Sequence, residues 1–291
     1  MRSYTNRRTD YGIFSNNTTA ANLALGDRIM NDSDKYLISR FNLNEATDSS
    51  RTTVANQQNY LQPYNIDKMI DVYVTIGANR YKLTEVPSRD MWDRLNYTTF
   101  ASNIPTHWFD FAGQTQIYPT PSASGSVITH VYKTRVKDLS AADYVTGTVS
   151  ITTNTTVVTG VGTTFTAAMV GRWIQLAAGD NQWYQIGTFT STTIIGLANA
   201  YAGATVATSA FTIGEMSLLS EIYQNIPIYY ACMVYYSSRV NDMNIHNMYK
   251  QLYDDGVKIM NLDLVNKTEN MVIDDGSGIQ RIVNPNLYIT L

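Results

Sequence analysis

The 291 residues predict an α+β fold: a helical bundle from the N- and C-terminal segments, a β region between them, and an inserted small all-β sandwich or barrel domain. Three observations carry this. Apolar residues spaced three and four apart concentrate near the two ends; alternating apolar and polar residues mark the middle; and residues 146–214 hold only two charged side chains, Arg172 and Asp180, among dense Thr, Gly and Val. With 44% apolar and 15% charged residues the chain can pack cores, so disorder is excluded as its main state.

In chain order, residues 1–51 read as the N-terminal helical part. Ala21, Ala24, Leu25 and Ile29 form a short helical stripe that residues 36–41 prolong. Residues 52–145 read as the β region. Ile70, Val72, Val74 and Ile76 share one parity while Asp71, Tyr73 and Thr75 take the other, the pattern of a half-buried strand. Gly77-Ala78-Asn79 turns the chain, and Tyr81 and Leu83 face one side of the return strand. A second pair is expected at 109–111 and 116–118 around Ala112-Gly113, with Pro119 and Pro121 confining its end to an edge or loop.

Within 146–214, strands are expected at 148–151, 155–159, 172–176, 183–189, 193–197 and 210–213. The flanking segments 139–143 and 215–217 read as two ends of one host connection, which makes the module an insertion. Residues 215–262 read as C-terminal helices. Ile222, Ile226, Tyr229, Met233, Tyr236, Val240 and Met243 form one stripe, with Asn225 as N-cap and Pro227 in the first turn, where a missing N–H removes nothing the helix needs. A break at Asn241 or Asn244 precedes a second stripe, Ile245, Tyr249, Leu252 and Ile259, running to about Met260. Residues 263–291 read as a hairpin, 271–273 against 279–283, and an extended tail. That tail ends in Leu287, Tyr288, Ile289 and Leu291, apolar enough to want a partner, and these four are the candidate docking residues.

Chemistry is harder to find. The net charge of −3 leaves no bulk basicity to condense on nucleic acid. Cys232 stands alone, and His107, His130 and His246 lie in three unrelated contexts, so no catalytic, cofactor or metal residue is assigned. Gly160-Val161-Gly162-Thr163-Thr164 lacks the lysine and following helix of a phosphate loop and reads as a hairpin turn. Asp254-Asp255 and Asp274-Asp275 read as solvated charge at element ends. No apolar segment follows Arg2, Arg7 and Arg8, and no run reaches membrane-spanning length, so synthesis in a reducing cytoplasm is expected. Of 21 tyrosines, Tyr229, Tyr230, Tyr235, Tyr236, Tyr249 and Tyr253 cluster in the C-terminal helices; a subunit interface and an ordinary core are both open readings.

The order of elements resembles the head-to-tail adaptor (connector) proteins of short-tailed bacteriophages. The residues that carry the likeness are the early Thr-rich helix, Thr53-Val54-Ala55-Asn56-Gln57-Gln58-Asn59-Tyr60-Leu61-Gln62-Pro63, Ile104-Pro105-Thr106-His107-Trp108-Phe109, Ile117-Tyr118-Pro119-Thr120-Pro121, and Ile226-Pro227 with Tyr230-Ala231. The module resembles small β modules of phage structural proteins, through Gly147-Thr148-Val149-Ser150 and the turn at 158–165. The resemblance implies a non-enzymatic virion protein without cofactor. It implies a homo-oligomeric ring, usually of twelve copies, whose helical bundle docks on the portal protein, with a tail tube or nozzle and tail fibres as further partners. Genomic DNA would pass through without specific binding. Five basic and nine acidic residues across 215–291 fit a channel wall that does not grip DNA. The rival class is a host-recognition or carbohydrate-binding tail protein, suggested by Trp173 and Trp183 in the module. A cell-wall hydrolase would need a placed carboxylate pair or metal triad that the sequence does not offer.

Overall fold

The computed structural model of the chain describes residues 1–97, 100–240, 242–265, 271–274 and 280–283. It is an α+β protein that divides into two compact units, 1–41 with 138–291, and 42–137.

The first unit opens with α1 (Tyr4–Phe14), capped by the Ser3 hydroxyl, which accepts from the Asn6 N–H at 3.3 Å. Next comes α2 (Ala20–Arg40), capped in the same way by Thr19. Sequence periodicity does not reveal α1, because the face it buries carries Tyr4, Arg7, Tyr11 and Gly12 rather than aliphatic residues. The two helices touch at Gly26. An alanine there would put its Cβ 2.2 Å from the fully buried Tyr11 ring. Gly26→Ala is therefore expected to force α1 off α2 and to cost about 1–3 kcal/mol, read as a lowered thermal midpoint of the helical signal.

The second unit runs through β1 (Glu45–Thr52), β2 (Asn59–Leu61), β3 (Ile66–Ile76), β4 (Asn79–Lys82), β5 (Thr84–Glu85), α3 (Arg89–Leu95), β6 (Ala101–Ser102), β7 (His107–Phe111), β8 (Gln114–Tyr118), β9 (Thr120–Pro121) and β10 (Val127–Thr134). Two four-stranded sheets, β1-β10-β3-β4 and β2-β8-β7-β5, contribute to one core of Tyr60, Val72, Val74, Leu83, Trp108, Ile117 and Ile128. Both expected hairpins are present, β3–β4 across 77–78 and β7–β8 across Ala112-Gly113. Three elements depart from the reading. Residues 45–51, placed with the N-terminal helical part, belong to β1, an edge strand whose polar sequence Glu45-Ala46-Thr47-Asp48-Ser49-Ser50-Arg51 has no alternation to read. Strand β10 lies between β1 and β3 and buries three residues in a row, so it does not alternate either. Helix α3 interrupts the β region; Ser88 caps it and the pairs Arg89–Asp93 and Arg94–Asp90 brace it.

The chain then returns to the first unit and builds β11 (Thr148–Ile151), β12 (Val157–Val161), β13 (Trp173–Leu176), β14 (Trp183–Ser191), β15 (Ile194–Leu197), β16 (Val206–Ser209) and β17 (Phe211–Gly214). They pair in the order β16-β11-β12-β15-β14-β13-β17 as one sheet curled into a half-barrel. Register shifts in β14 at 186–188 and 189–191 bend it where it passes from β13 to β15. Val149, Val158, Phe165, Ile174, Ile186, Ile195, Phe211 and Ile213 fill the concave side.

Entry and exit of this module lie side by side, with Tyr144 and Ile213 exchanging backbone hydrogen bonds at 2.9 Å. Polar contacts tie both flanks to α1 and α2. Ser3 Oγ donates to Asp143 at 2.7 Å, the Asp143 N–H donates to Thr5 at 3.0 Å, and Asn31 exchanges two bonds with Leu139. The Glu215 carboxylate receives the N–H groups of Ser140 and Ala141, both at 2.8 Å. Beneath them, Arg7 Nη1 meets Asp34 Oδ2 at 2.5 Å with both side chains almost wholly buried.

Last come α4 (Ile226–Tyr235) and α5 (Met243–Val265), then the two-stranded pair β18 (Met271–Asp274) and β19 (Gln280–Val283). Pro227 sits in the first turn of α4, as read; Asn225 precedes it but makes no side-chain cap bond. The stripe read from Ile222 to Met243 is broken at both ends. Ile222 lies exposed in a 3₁₀ turn, and α4 ends at Tyr235 in a π-turn (Tyr236–Val240). Ser237 and Ser238 both bond the Val234 carbonyl, which loosens the ladder, and Asp242 then caps α5 by accepting from the N–H groups of Asn244 and Ile245.

Candidate functional site

Helix α5 divides its surface between two tasks. Tyr249, Val257 and Met260 are buried, and Gly256 brings the helix so close to α4 that a Cβ there would lie 2.8 Å from Ile226. Met248, Leu252, Asp255, Ile259 and Leu262 follow one another at spacings of four and three, and all five are exposed. Four apolar side chains in that spacing form a seam suited to another helix or groove. Charged residues flank the seam, with Lys250 paired to Asp254 at 2.9 Å. The stripe read from sequence put Leu252 and Ile259 with Tyr249 on one face. Tyr249 faces inward, while Leu252 and Ile259 join Met248 and Leu262, which were missed; the heptad spacing was the signal for them.

The tyrosines answer the question left open by sequence. Tyr11, Tyr235, Tyr236 and Tyr249 are buried in one core with Ile29, Met30, Ile228 and Cys232, and their hydroxyls are occupied. Tyr11 donates to Asn22 at 3.0 Å, Tyr235 accepts from Asn17 at 3.0 Å, and Tyr236 and Tyr249 both donate to the Phe14 carbonyl. Tyr235, Tyr236 and Tyr249, half of the six, are thus intrachain core with satisfied polar tips. Tyr230 and Tyr253, half-buried with ring centres 5.2 Å apart, instead line a cleft of about 340 Å³ with Asp32, Ser33 and Tyr36.

The remaining sequence candidates fall as follows. Leu287, Tyr288, Ile289 and Leu291 lie outside the described residues. Burial pushes the Cys232 thiol up to about 12, which keeps it protonated and unreactive at neutral pH. His107 bonds the Thr106 hydroxyl and His246 the Met233 carbonyl, while His130 is buried in the second unit. Asp254 and Asp255 are solvated as read but lie in the middle of α5 rather than at an element end, because Gly256 continues the helix. Among the described residues no group of three or more His, Cys, Asp or Glu is placed to hold a metal ion, and no helix is long and apolar enough to cross a membrane. Trp173 and Trp183 sit half-buried on β13 and β14.

Residues 6–161, more than half of the chain, match the family model of the SU10 adaptor protein. The chain belongs to the SU10 adaptor protein family. It is therefore an adaptor-type phage structural protein and a virion component. No curated protein matches it. The match covers most of α1, all of α2, the second unit and the module up to the end of β12, so the adaptor's seam on α5 lies beyond the matched segment.

Proposed function

We propose that this adaptor forms a homo-oligomeric ring, of twelve copies by family resemblance, between the portal protein and the tail tube or nozzle. In this reading the ring walls part of the channel through which the genome leaves, without binding DNA specifically and without enzymatic activity. Helices α1, α2, α4 and α5 act as the bundle that meets the portal. The module 146–214 is carried as an insertion, and tail fibres are further partners. The observation that carries the reading is the exposed seam Met248, Leu252, Ile259 and Leu262, on a helix whose opposite side is already committed to the core. The acidic balance of 215–291 supports a non-gripping channel wall.

The tail is the second contact. We assign Leu287, Tyr288, Ile289 and Leu291 to docking on a neighbouring subunit or the portal, where apolar burial is multiplied around a ring. Co-sedimentation with purified portal tests both contacts. Leu252→Asp with Ile259→Asp, and separately a chain lacking 284–291, should each bind portal at least tenfold more weakly, by ~1.4 kcal/mol or more per subunit, with unchanged thermal midpoints. Unchanged binding by the seam variant would remove α5 from the interface, and unchanged binding by the truncated chain would make the tail idle.

A further inference from the structure

The register of the half-barrel puts an unusual set of side chains on its outer face. Trp173 pairs with Gln185 and with Gly214, and Gln175 pairs with Trp183 and with Thr212. Cross-strand partners share a face, so Trp173, Gln175, Trp183 and Gln185 stand together opposite the buried Ile174, Leu176, Ile186, Phe211 and Ile213. A module with two charged residues thus spends two indoles and two primary amides on the side that its own core does not use.

That face is not open everywhere. The N-terminal segment crosses it: the Tyr4 N–H donates to the Glu215 carbonyl at 2.8 Å, and a Cβ on Gly214 would lie 2.6 Å from Ser3. Between the two a cleft of about 410 Å³ remains, walled by Gln175, Asn181, Gln182 and Trp183 on the module and by Met1, Asn6 and Glu221 opposite. The carboxylate of Glu221 is paired with the Met1 amino group at 2.5 Å, and the remaining polar side chains of the wall are carboxamides.

The module's side of the cleft is braced. Asp180 accepts from the Gln182 N–H at 3.1 Å and from the Tyr184 hydroxyl at 2.5 Å, and that hydroxyl accepts from the Ala202 N–H at 3.2 Å. Gln175 Nε2 donates to the Asn181 carbonyl at 2.8 Å, which fixes this amide and leaves its oxygen as acceptor. The Gln175 side chain and the backbone at Asn181 and Gln182 are thus held in place, which lowers the ordering cost on this wall.

We infer that this cleft, with Trp183 in its wall and Gln175, Asn181, Gln182 and Asn6 as its polar groups, is a binding site for a neutral saccharide. Carboxamides offer a donor and an acceptor to adjacent hydroxyls, and an indole face takes the C–H side of a sugar ring. Among the described residues no lysine or arginine lines the cleft, and the Met1 amino group there is paired with Glu221, which argues against phosphate, nucleic acid and acidic sugars. Its volume lies in the range of small-molecule sites. The site goes beyond the adaptor reading and does not depend on it: a ring component that also holds a neutral surface glycan would place the particle neck against its host.

Full-length protein should be titrated with neutral oligosaccharides, namely maltohexaose, cellohexaose, chitohexaose and dextran oligomers, with oligogalacturonate as the acidic control. Tryptophan fluorescence and saturation-transfer NMR are the readouts. At least one neutral sugar should bind at millimolar concentration or below and shift the indole emission. Trp183→Ala should weaken it about tenfold or more and Gln182→Ala, at an exposed position, severalfold, without change in far-UV circular dichroism. Absence of binding by every neutral sugar, binding of the acidic one alone, or affinity unchanged in both variants would overturn the inference. Portal co-sedimentation is read separately, so failure here leaves the adaptor reading standing and its failure leaves this one.

Discussion

Asp34→Ala should be among the most damaging single substitutions in the first unit, with a loss of about 3–5 kcal/mol. Arg7 and Asp34 meet at 2.5 Å with side chains 2% and 4% exposed, inside the joint between α1, α2 and the flanks of the module. A guanidinium does not give up its proton, so the truncation strands a full charge at a buried position. The pair already leaves Arg7 Nε and Nη2 without partners among the described residues, and beyond Arg7 the Asp34 carboxylate is supported by Ser217, so little is in place to compensate Arg7. Its attraction offsets its own desolvation without much surplus. Arg7→Met with Asp34→Leu should accordingly recover most or all of the stability that Asp34→Ala loses. Thermal unfolding followed by the helical signal separates the cases; equal losses for the single and double variants would show that packing volume, not charge, decides the site.

The second unit should lose stability on acidification through one residue. His130, on β10 between Asp48 of β1 and Val72 of β3, has no exposed surface, and neither ring nitrogen has a hydrogen-bond partner among the described residues. Burial pushes its imidazole down to about 4; the Asp48 carboxylate opposes this and Arg51 adds to it. Above the unfolded-state value of 6.5 the ring is neutral in both states and the full stability is present. As pH falls from there toward 4, the unfolded chain takes up a proton that the folded unit refuses, so stability drops by up to about 3 kcal/mol. Urea unfolding of this unit, followed through the buried Trp92 and Trp108, should show that slope in the native protein and a much flatter one in His130→Leu. Equal slopes in the two proteins would mean that carboxylates carry the acid sensitivity.

What the sequence made legible follows from where burial matches a simple period. Val72 and Val74 alternate because β3 has one buried face, and Pro227 announces α4 because proline suits a first turn. Legibility fails where burial is polar or two-sided. Helix α1 buries Arg7 and β10 buries His130, neither of which a hydrophobic pattern registers. Two serines and an aspartate, rather than a glycine or proline, set the break between α4 and α5. In the α5 seam, Met248 and Leu262 are visible once the heptad spacing is traced, but which stripe faces inward depends on the approach to Ile226 that Gly256 permits. Of the cleft beside Trp183, only that tryptophan is legible in the sequence, because the opposite wall comes from Asn6 and Glu221, which are distant in the chain.

Single-particle imaging of the purified protein mixed with its portal tests the central claim most directly. The account predicts a closed ring of adaptor subunits seated on the portal around an open channel, with α5 in the contact and the half-barrel module visible on each subunit. Subunits that stay unassembled in the presence of portal, or a ring that meets the portal without the helices, would contradict it.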